Sequence, residues 1–416
     1  MAMGLGAGRK LSQPPAVNIL TFNAGSSSLR FALHGVGEEA GAEHLLVKGS
    51  VERLGTPQCS LRLSQPGKPL LEGPIAARHP ADVVPQILEH LNLPADELGA
   101  VGCRVVHGGD RFRAPVLATP FVLKEIRALG ELAPLHNAAD ADLVETLLAA
   151  LPGVPVVAVF DTSFHQTLPA VASTYALPAD LCARLGLRRY GFHGIAHQAV
   201  SRRLSESLGP RAAEGTRFIT CHLGNGASVC AVRDGKSIDT SMGFTPLEGL
   251  VMGTRSGDLD AGLVLHLQRA AGLGITEVED LLNHRSGLHG LSGGLSADVR
   301  DLISAAGEGD ARAELALEVF AYRAAKYIGA YAVAMSGLDA VAFSGGIGEH
   351  SAPMRARICG RLGFLGLHLD EARNEATDGS CAAPITRADS PTSAWVIPAE
   401  ENLQMAREVN AFLKTP

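Results

Sequence analysis

Arg217-Phe-Ile-Thr-Cys-His-Leu-Gly-Asn-Gly-Ala-Ser-Val-Cys-Ala-Val-Arg-Asp-Gly235 is the stretch on which the reading of the chain turns. Phe218 to Cys221 and Val229 to Val232 are β-forming runs on either side of a break, so it reads as strand, tight turn, strand. Gly224 and Gly226 tolerate positive φ and place no Cβ in the way. Such a turn aims several backbone N–H groups into one concavity, a shape that suits a phosphate. Asn225 and Ser228 can add side-chain donors. A plain β-hairpin is the alternative. A P-loop is excluded: Gly235-Lys236-Ser237 imitates the end of one, but Cys230 stands where its leading glycine is required.

A second hairpin of this kind lies roughly 200 residues earlier. Val17 to Phe22 is a strand, Asn23-Ala-Gly-Ser-Ser-Ser28 a polar turn, and Leu29 to Leu33 the returning strand. One hairpin opening each half predicts a duplicated architecture. Asn23, Ser26 and Ser28 face the phosphate in that reading; in the alternative they serve only the turn.

The remaining composition narrows the class. A chain of 416 residues is too long for one ordinary core, so two domains are expected. With 46% hydrophobic and 19% charged residues it is globular. A net charge of −7 argues against a nucleic-acid partner and requires any phosphate site to concentrate its positive charge locally. The seven cysteines form no CxxC pair and read as reduced thiols of a cytoplasmic protein. No apolar run reaches the ~18 residues of a membrane span. Residues 1–14 read as a loose extension.

In chain order, residues 80–99 predict a helix, and Ala100 to Val106 a strand that contains Arg104. A guanidinium in an apolar strand must pair, line a cavity or sit on an edge. Residues 138–150 are helical. Pro155 to Asp161 is a strand with Asp161 at its C-terminal end, where ligands gather in open α/β sheets; a helix N-cap is the alternative. Arg188 to Gly194 brings His193 into a glycine-flanked loop ahead of a helix at 195–208, where a histidine is more often structural than catalytic. Thr240 to Asp258 is a long irregular loop carrying Arg255. Asp298 and Arg300 suit either a nucleoside contact or a helix cap. The longest helix spans 311–335. Leu338 to Phe343 is a strand, Ser344 to Glu349 a glycine turn, and a helix follows from about Ala352; strand, turn and helix N-terminus form an anion site. A last strand and a helix at 401–413 close the chain.

Three glycine turns after strands, at 23–28, 222–228 and 344–348, describe a cleft that grips phosphates from both sides. That layout fits a duplicated actin-like ATPase fold, two lobes around a cleft, better than a Rossmann enzyme, which concentrates its phosphate site in one turn. The first lobe is expected over 15–165 plus 396–416, and the second, nucleotide-binding lobe over 166–395.

Asn23 to Ser28 and His222 to Ser228 resemble the two signature motifs of the acetate kinase family. The similarity continues in order through Cys103-Arg-Val-Val-His-Gly-Gly109, Pro134-Leu-His-Asn137, Phe160-Asp-Thr-Ser-Phe-His-Gln166, Tyr190-Gly-Phe-His-Gly194, Met252-Gly-Thr-Arg-Ser-Gly257, Asp298-Val-Arg300 and Ser344-Gly-Gly-Ile-Gly-Glu349. The resemblance implies transfer of the γ-phosphoryl of ATP to a short-chain carboxylate, giving an acyl phosphate and ADP. Acetate is ionised at neutral pH, so the difficulty is bringing one anion up to another, and catalysis is positioning plus neutralisation.

The resemblance also implies the site. Arg104 would hold the acid's carboxylate, with Val106, Leu135, Phe192 and Pro246 around its methyl group. Arg255, His193 and His136 would stabilise the phosphoryl in flight, and Asp161 would act electrostatically. The nucleotide would meet Ser26, Ser28, Arg30, His222, Leu223, Gly224, Asn225, Gly226, Gly346, Ile347, Gly348, Glu349 and His350, with Asp298, Val299 and Arg300 at the nucleoside. Mg²⁺, or Mn²⁺ in its place, would sit near Asn23 and Glu401. A homodimer is implied. Two departures stand out: Arg30 replaces a usual lysine, and Ala399-Glu400-Glu401-Asn402 replaces the family's Thr-Asn-Glu-Glu. The same family includes propionate and butyrate kinases, and a non-catalytic nucleotide-driven module on the same frame is the reading from another class.

Overall fold

The computed structural model describes residues 17–25, 28–37, 43–131, 133, 136–212 and 214–415. Its strands are β1 (Val17–Ala24), β2 (Ser28–Val36), β3 (Glu43–Glu52), β4 (Ser60–Ser64), β5 (Leu71–Pro74), β6 (Ala100–Val105), β7 (Val116–Leu117), β8 (Val156–Phe160), β9 (Arg217–Leu223), β10 (Ala227–Arg233), β11 (Lys236–Thr240), β12 (Ala340–Ser344), β13 (Ala383–Pro384) and β14 (Ser393–Val396). They form two sheets, in the orders β5-β4-β3-β2-β1-β6-β8-β7 and β11-β10-β9-β12-β14-β13.

The two orders contain the same motif. In the first sheet β1 pairs antiparallel with β2 and parallel with β6, which pairs parallel with β8. In the second, β9 pairs antiparallel with β10 and parallel with β12, which pairs parallel with β14. The duplication expected from the two hairpins is therefore present as topology. Each central strand reads as a continuous apolar run because both of its faces are covered; β8 and β12 are buried at every position.

The halves exchange helices. Gly194–Leu208 follows the first sheet but seats Val200, Leu204 and Leu208 in a cluster with Phe218, Cys230 and Ala342 of the second. Glu401–Leu413 follows the second sheet but seats Met405, Ala406 and Val409 against Ile19, Ala100 and Val157 of the first. The chain thereby crosses between the sheets twice, and a cleft lies between them.

Two local expectations are corrected. Residues 80–99 are not one helix: a 3₁₀ turn at Pro80–Val83 leads into Val84–Leu91, which stops at Asn92 in the left-handed conformation (φ 46°). Ser344 to Glu349 is not an open turn, because a short helix, Gly345–His350, begins directly at the end of β12. The Glu349 carboxylate accepts the Gly345 N–H at 2.8 Å, which satisfies one of that helix's first donors internally. The longest helix is Ala311–Ala334, capped by Asp310, and Asn137–Ala150 and Gly194–Leu208 match their expected ranges within two residues. The loose extension expected over residues 1–14 lies outside the described residues.

Candidate active site

A cleft of about 970 Å³ opens between the sheets. Asn23 and Arg30 line it from the first hairpin, and His222, Gly224, Asn225 and Gly226 from the second. Gly345, Gly346, Glu349 and His350 line it after β12, and Pro398 to Leu403 from the C-terminal crossing. Asn23 and Arg30 are cross-strand partners in β1 and β2, so the exposed Arg30 side chain stands beside the turn. Gly346 has open space where a Cβ would project, leaving room for a ligand against the backbone.

Arg104 lies on β6, beside the end of β1. Its Nη1 donates to the Ala24 carbonyl and its Nη2 to Asp161 Oδ2, each at 2.9 Å. The guanidinium thus pairs at the end of β1 as well as with the strand-end aspartate, and Asp161 does two jobs. Its Oδ2 accepts the His193 N–H at 2.9 Å, and Oδ1 the Ile195 N–H at 3.4 Å, which caps the helix Gly194–Leu208. Burial alone would raise the Asp161 pKa, but the Arg104 charge and these hydrogen bonds outweigh it and hold it at about 2. Asp161 is therefore an anion throughout the neutral range and a poor proton acceptor.

His193 is held in the left-handed conformation at φ 56° between Phe192 and Gly194. Gly194 is needed there: a Cβ would come within 2.3 Å of the Asp161 carbonyl oxygen. The imidazole packs against His222 with ring centroids 4.8 Å apart. Burial, then His222, pushes its pKa well below the ordinary range, so the ring is neutral.

Gly226 joins these groups. A Cβ built on it would lie 3.4 Å from His193 Nε2 and 3.7 Å from Arg255 Nη2, so histidine and arginine converge on the second hairpin. Arg255 donates from Nη1 to the Pro246 carbonyl at 2.8 Å. Burial pulls its pKa down, and among the described residues no carboxylate offsets that. His136 precedes the helix Asn137–Ala150; burial, then the charges of Arg104 and Arg255, lowers it to about 4. Both guanidiniums thus act on one imidazole.

The apolar residues divide. Val106 and Phe192 are buried in the same cluster as Leu250 and Met252, while Pro246 is half-buried beside Arg255. Leu135 and Ser26 lie outside the described residues. Leu223 and Val299 are core residues, so only their backbone is open to a nucleotide. Asp298 caps the helix Val299–Gly307 by accepting the Arg300 N–H at 2.8 Å, and its carboxylate also pairs with the exposed Arg300 guanidinium at 2.6 Å. These three residues are not among those lining the cleft.

Of the adjacent glutamates, Glu401 is the one that turns inward. Its carboxylate accepts from Asn23 Nδ2 and lies 3.9 Å from His222 Nε2, whereas Glu400 is exposed. Among the described residues no group of three or more His, Cys, Asp or Glu could hold a metal. One amide oxygen and one carboxylate fit a hard cation that keeps its waters and borrows oxygens from phosphates, and no softer one.

Sequence reasoning missed the groups behind these. Ser228 does not face the cleft: it is fully buried, with Oγ 2.8 Å from both His193 Nδ1 and His197 Nε2. His197 lies four residues after His193 on one helix, a same-face spacing that was readable. Asp140 was also missed. It is buried, accepts the Val106 N–H at 2.8 Å, and is raised to about 7, by burial above all.

Known proteins resemble the chain over nearly its whole length. The model of the acetokinase family matches residues 18–407. The chain belongs to the acetokinase family. The acetate kinase of Geobacillus sp. strain WCH70 is 46% identical over 395 residues, 94% of this chain and 98% of that one. That of Thermotoga maritima is 45% identical over 408 residues, covering 96% and 99%. The crystal structure of Porphyromonas gingivalis acetate kinase superposes with a TM-score of 0.86 at 40% identity, covering 96% of this chain and all of that one. A Francisella tularensis propionate kinase superposes at 0.85 with 38% identity, covering 94% and 98%. As a member of this family, the chain is an acetate kinase-type phosphotransferase with a carboxyl group as acceptor and ATP or ADP as substrate, on the duplicated actin-like fold.

Proposed function

We propose that this acetokinase moves the γ-phosphoryl of ATP in line to acetate, reversibly, at the point where Arg104, His193 and Arg255 converge. The observation that carries the reading is Arg255: a half-buried cation beside a glycine turn, with no carboxylate partner among the described residues. Such a group is costly in the free protein and is compensated by an anion.

The geometry of the described residues supports the following roles. Arg104 spends one N–H on Ala24 and another on Asp161, and its remaining donors can take the acid's carboxylate. Asp161 keeps that guanidinium charged and aimed, and no base is required by an ionised nucleophile. Arg255 and the neutral His193 and His136 offer donors to the equatorial phosphoryl oxygens. Val106, Phe192 and Pro246 enclose the acid's alkyl end, and the family resemblance assigns Leu135 to the same pocket. The glycine turns, with Ser26, Ser28 and Arg30, receive the phosphates, and Asp298 to Arg300 meet the nucleoside after the cleft closes. Mg²⁺, or Mn²⁺, would be held by Asn23 and Glu401 together with phosphate oxygens; when bound it neutralises phosphate charge.

Residues 15–165 with 396–416, and 166–395, act as the two lobes, and their closure excludes water. We place the enzyme in the cytoplasm as a homodimer without nucleic-acid or membrane partners. Five of its seven free cysteines are buried, as suits a reducing compartment, and the helix Ala261–Ala270 buries none of its residues while exposing Leu263 and Leu265. Among the described residues no helix is long and apolar enough to cross a membrane.

Trapping the acyl phosphate as its hydroxamate, with Mg-ATP and millimolar acetate, is the direct test, and absence of product overturns the reading. The likeness to a propionate kinase makes propionate the second acceptor to measure, by the ratio of kcat/KM values. Arg255→Ala is expected to lower turnover by orders of magnitude, ~10²–10³ for loss of one charge-stabilising donor, with nucleotide binding retained.

A further inference from the structure

The imidazole of His193 is the outermost link of a buried file of polar side chains. Its Nδ1 lies 2.8 Å from Ser228 Oγ, Ser228 Oγ lies 2.8 Å from His197 Nε2, and His197 Nδ1 lies 2.8 Å from Thr220 Oγ1. Ser228, His197 and Thr220 are each fully buried. The file starts inside the second sheet, on β9, and passes through β10 and one turn of the helix Gly194–Leu208.

Its inner end fixes its direction. Among the described residues Thr220 Oγ1 has no hydrogen-bond partner other than His197 Nδ1. An idle lone pair on a buried hydroxyl costs little, but an idle buried O–H costs the full desolvation of a donor. Thr220 must therefore donate to His197 Nδ1. A neutral imidazole has one N–H, so that of His197 is on Nε2 and points at Ser228 Oγ. Ser228 then gives its own proton to His193 Nδ1, and His193 is left with N–H on Nε2. That atom is the one beside Gly226 and near Arg255 Nη2.

We propose that Thr220, His197 and Ser228 are positioning residues that set the tautomer of His193, so that a neutral imidazole presents Nε2–H to the phosphoryl in flight. The proposal rests on the reading of His193 given above. Burial keeps both rings neutral, as the sequence of donors requires: the pKa values of His193 and His197 are each lowered well below the ordinary value, burial being the largest cause. The charged groups around them agree. Arg104, Arg255 and His222 disfavour a proton on His193, and only Asp161 favours one; His165 and His222 disfavour one on His197. The neighbouring His165 is fixed separately, between Ser237 Oγ at 2.8 Å and the Phe192 carbonyl at 3.0 Å. No proton crosses the file during transfer: the acyl oxygen attacks phosphorus, the bond to the ADP oxygen breaks, and every ring keeps its hydrogen.

The tautomer is measurable without kinetics. Two-bond ¹H–¹⁵N correlation spectra of the full-length protein labelled at histidine, with His193 assigned from the His193→Gln spectrum, should show His193 and His197 neutral at pH 7 and both protonated at Nε2. Thr220→Val keeps the shape of the side chain and removes the donor. It should lower kcat on the order of 10-fold, as loss of an orienting partner does at ligating histidines, with KM for acetate and ATP within about twofold. Thr220→Ser should restore kcat, which a defect in packing alone would not allow. A His193 signal with the proton on Nδ1, or a Thr220→Val enzyme of normal kcat, overturns the relay. If instead His193→Gln itself turns over normally, it is the reading of the active site that fails.

Discussion

Arg104 on β6 and Asp161 just past the end of β8 meet at 2.9 Å, and the same Asp161 oxygen accepts the His193 N–H. One carboxylate therefore ties the Arg104 guanidinium of the first sheet to the start of the helix that packs on the second. Any change there is felt as stability and as turnover together.

Asp161→Asn keeps the shape and removes the charge that Arg104 needs. Breaking a buried ion pair from one side costs about 3–5 kcal/mol. The Asp161 pKa is about 2 in the fold against an ordinary 3.8, so its contribution is present above pH ~4 and is lost as pH falls from there toward 2. Urea midpoints of the Asn variant should be lower at pH 7 and should lack that acid-limb slope.

Asp140 predicts the opposite sign. Its pKa is raised from 3.8 to about 7, mainly by burial, so the folded state holds a proton that the unfolded chain has lost. Stability is fully present below pH ~4 and declines as pH rises to about 7. Asp140→Asn can still accept the Val106 N–H and should flatten that decline. Melting temperatures between pH 5 and 8 are the check, and a parallel curve for the variant would refute it.

Two glycines separate site from scaffold. The nearest atoms to a Cβ on Gly226 belong to His193 and Arg255, at ordinary contact distances of 3.4 and 3.7 Å. Gly226→Ala should therefore fold normally while kcat drops, because the methyl group occupies the space of the phosphoryl. Gly257 has φ 69°, and its Cβ would fall 2.3 Å from the Leu250 carbonyl oxygen. Gly257→Ala should cost stability of ~1–3 kcal/mol and displace the Arg255 loop. Calorimetry alongside turnover distinguishes the two.

Val106→Ala should shift preference toward longer acids. Val106 is buried with Phe192, and one methylene in an apolar pocket is worth about 1–3 kcal/mol. The ratio of kcat/KM for propionate over acetate should rise about 10-fold or more; an unchanged ratio would remove Val106 from the acid pocket.

Much of this was legible in the residues. The hairpins at Asn23 and His222, the apolar strands and the cap at Asp298 are local, and their propensities agree with the fold. Arg104 was readable as a group in need of a partner, though not the identity of that partner. The boundary of Gly345–His350 was misread because Glu349 supplies its cap from within, which a search for a preceding capping residue does not find. Ser228 was misread because alternation along β10 sends it inward, beneath the turn rather than into it.

Sequence alone determined that the chain is duplicated, that glycine turns follow strands in each half, and that Arg104, His193 and Arg255 stand in positions that call for a partner or a ligand. These depend on neighbours a few residues apart. Tertiary structure decided which of these meet: that Asp161 caps one helix and holds Arg104, that Arg255 has no carboxylate partner among the described residues, and that a threonine on β9 faces a histidine 23 residues earlier. Electrostatics and hydrogen bonding act through space over a few ångströms, and only folding brings such residues that close.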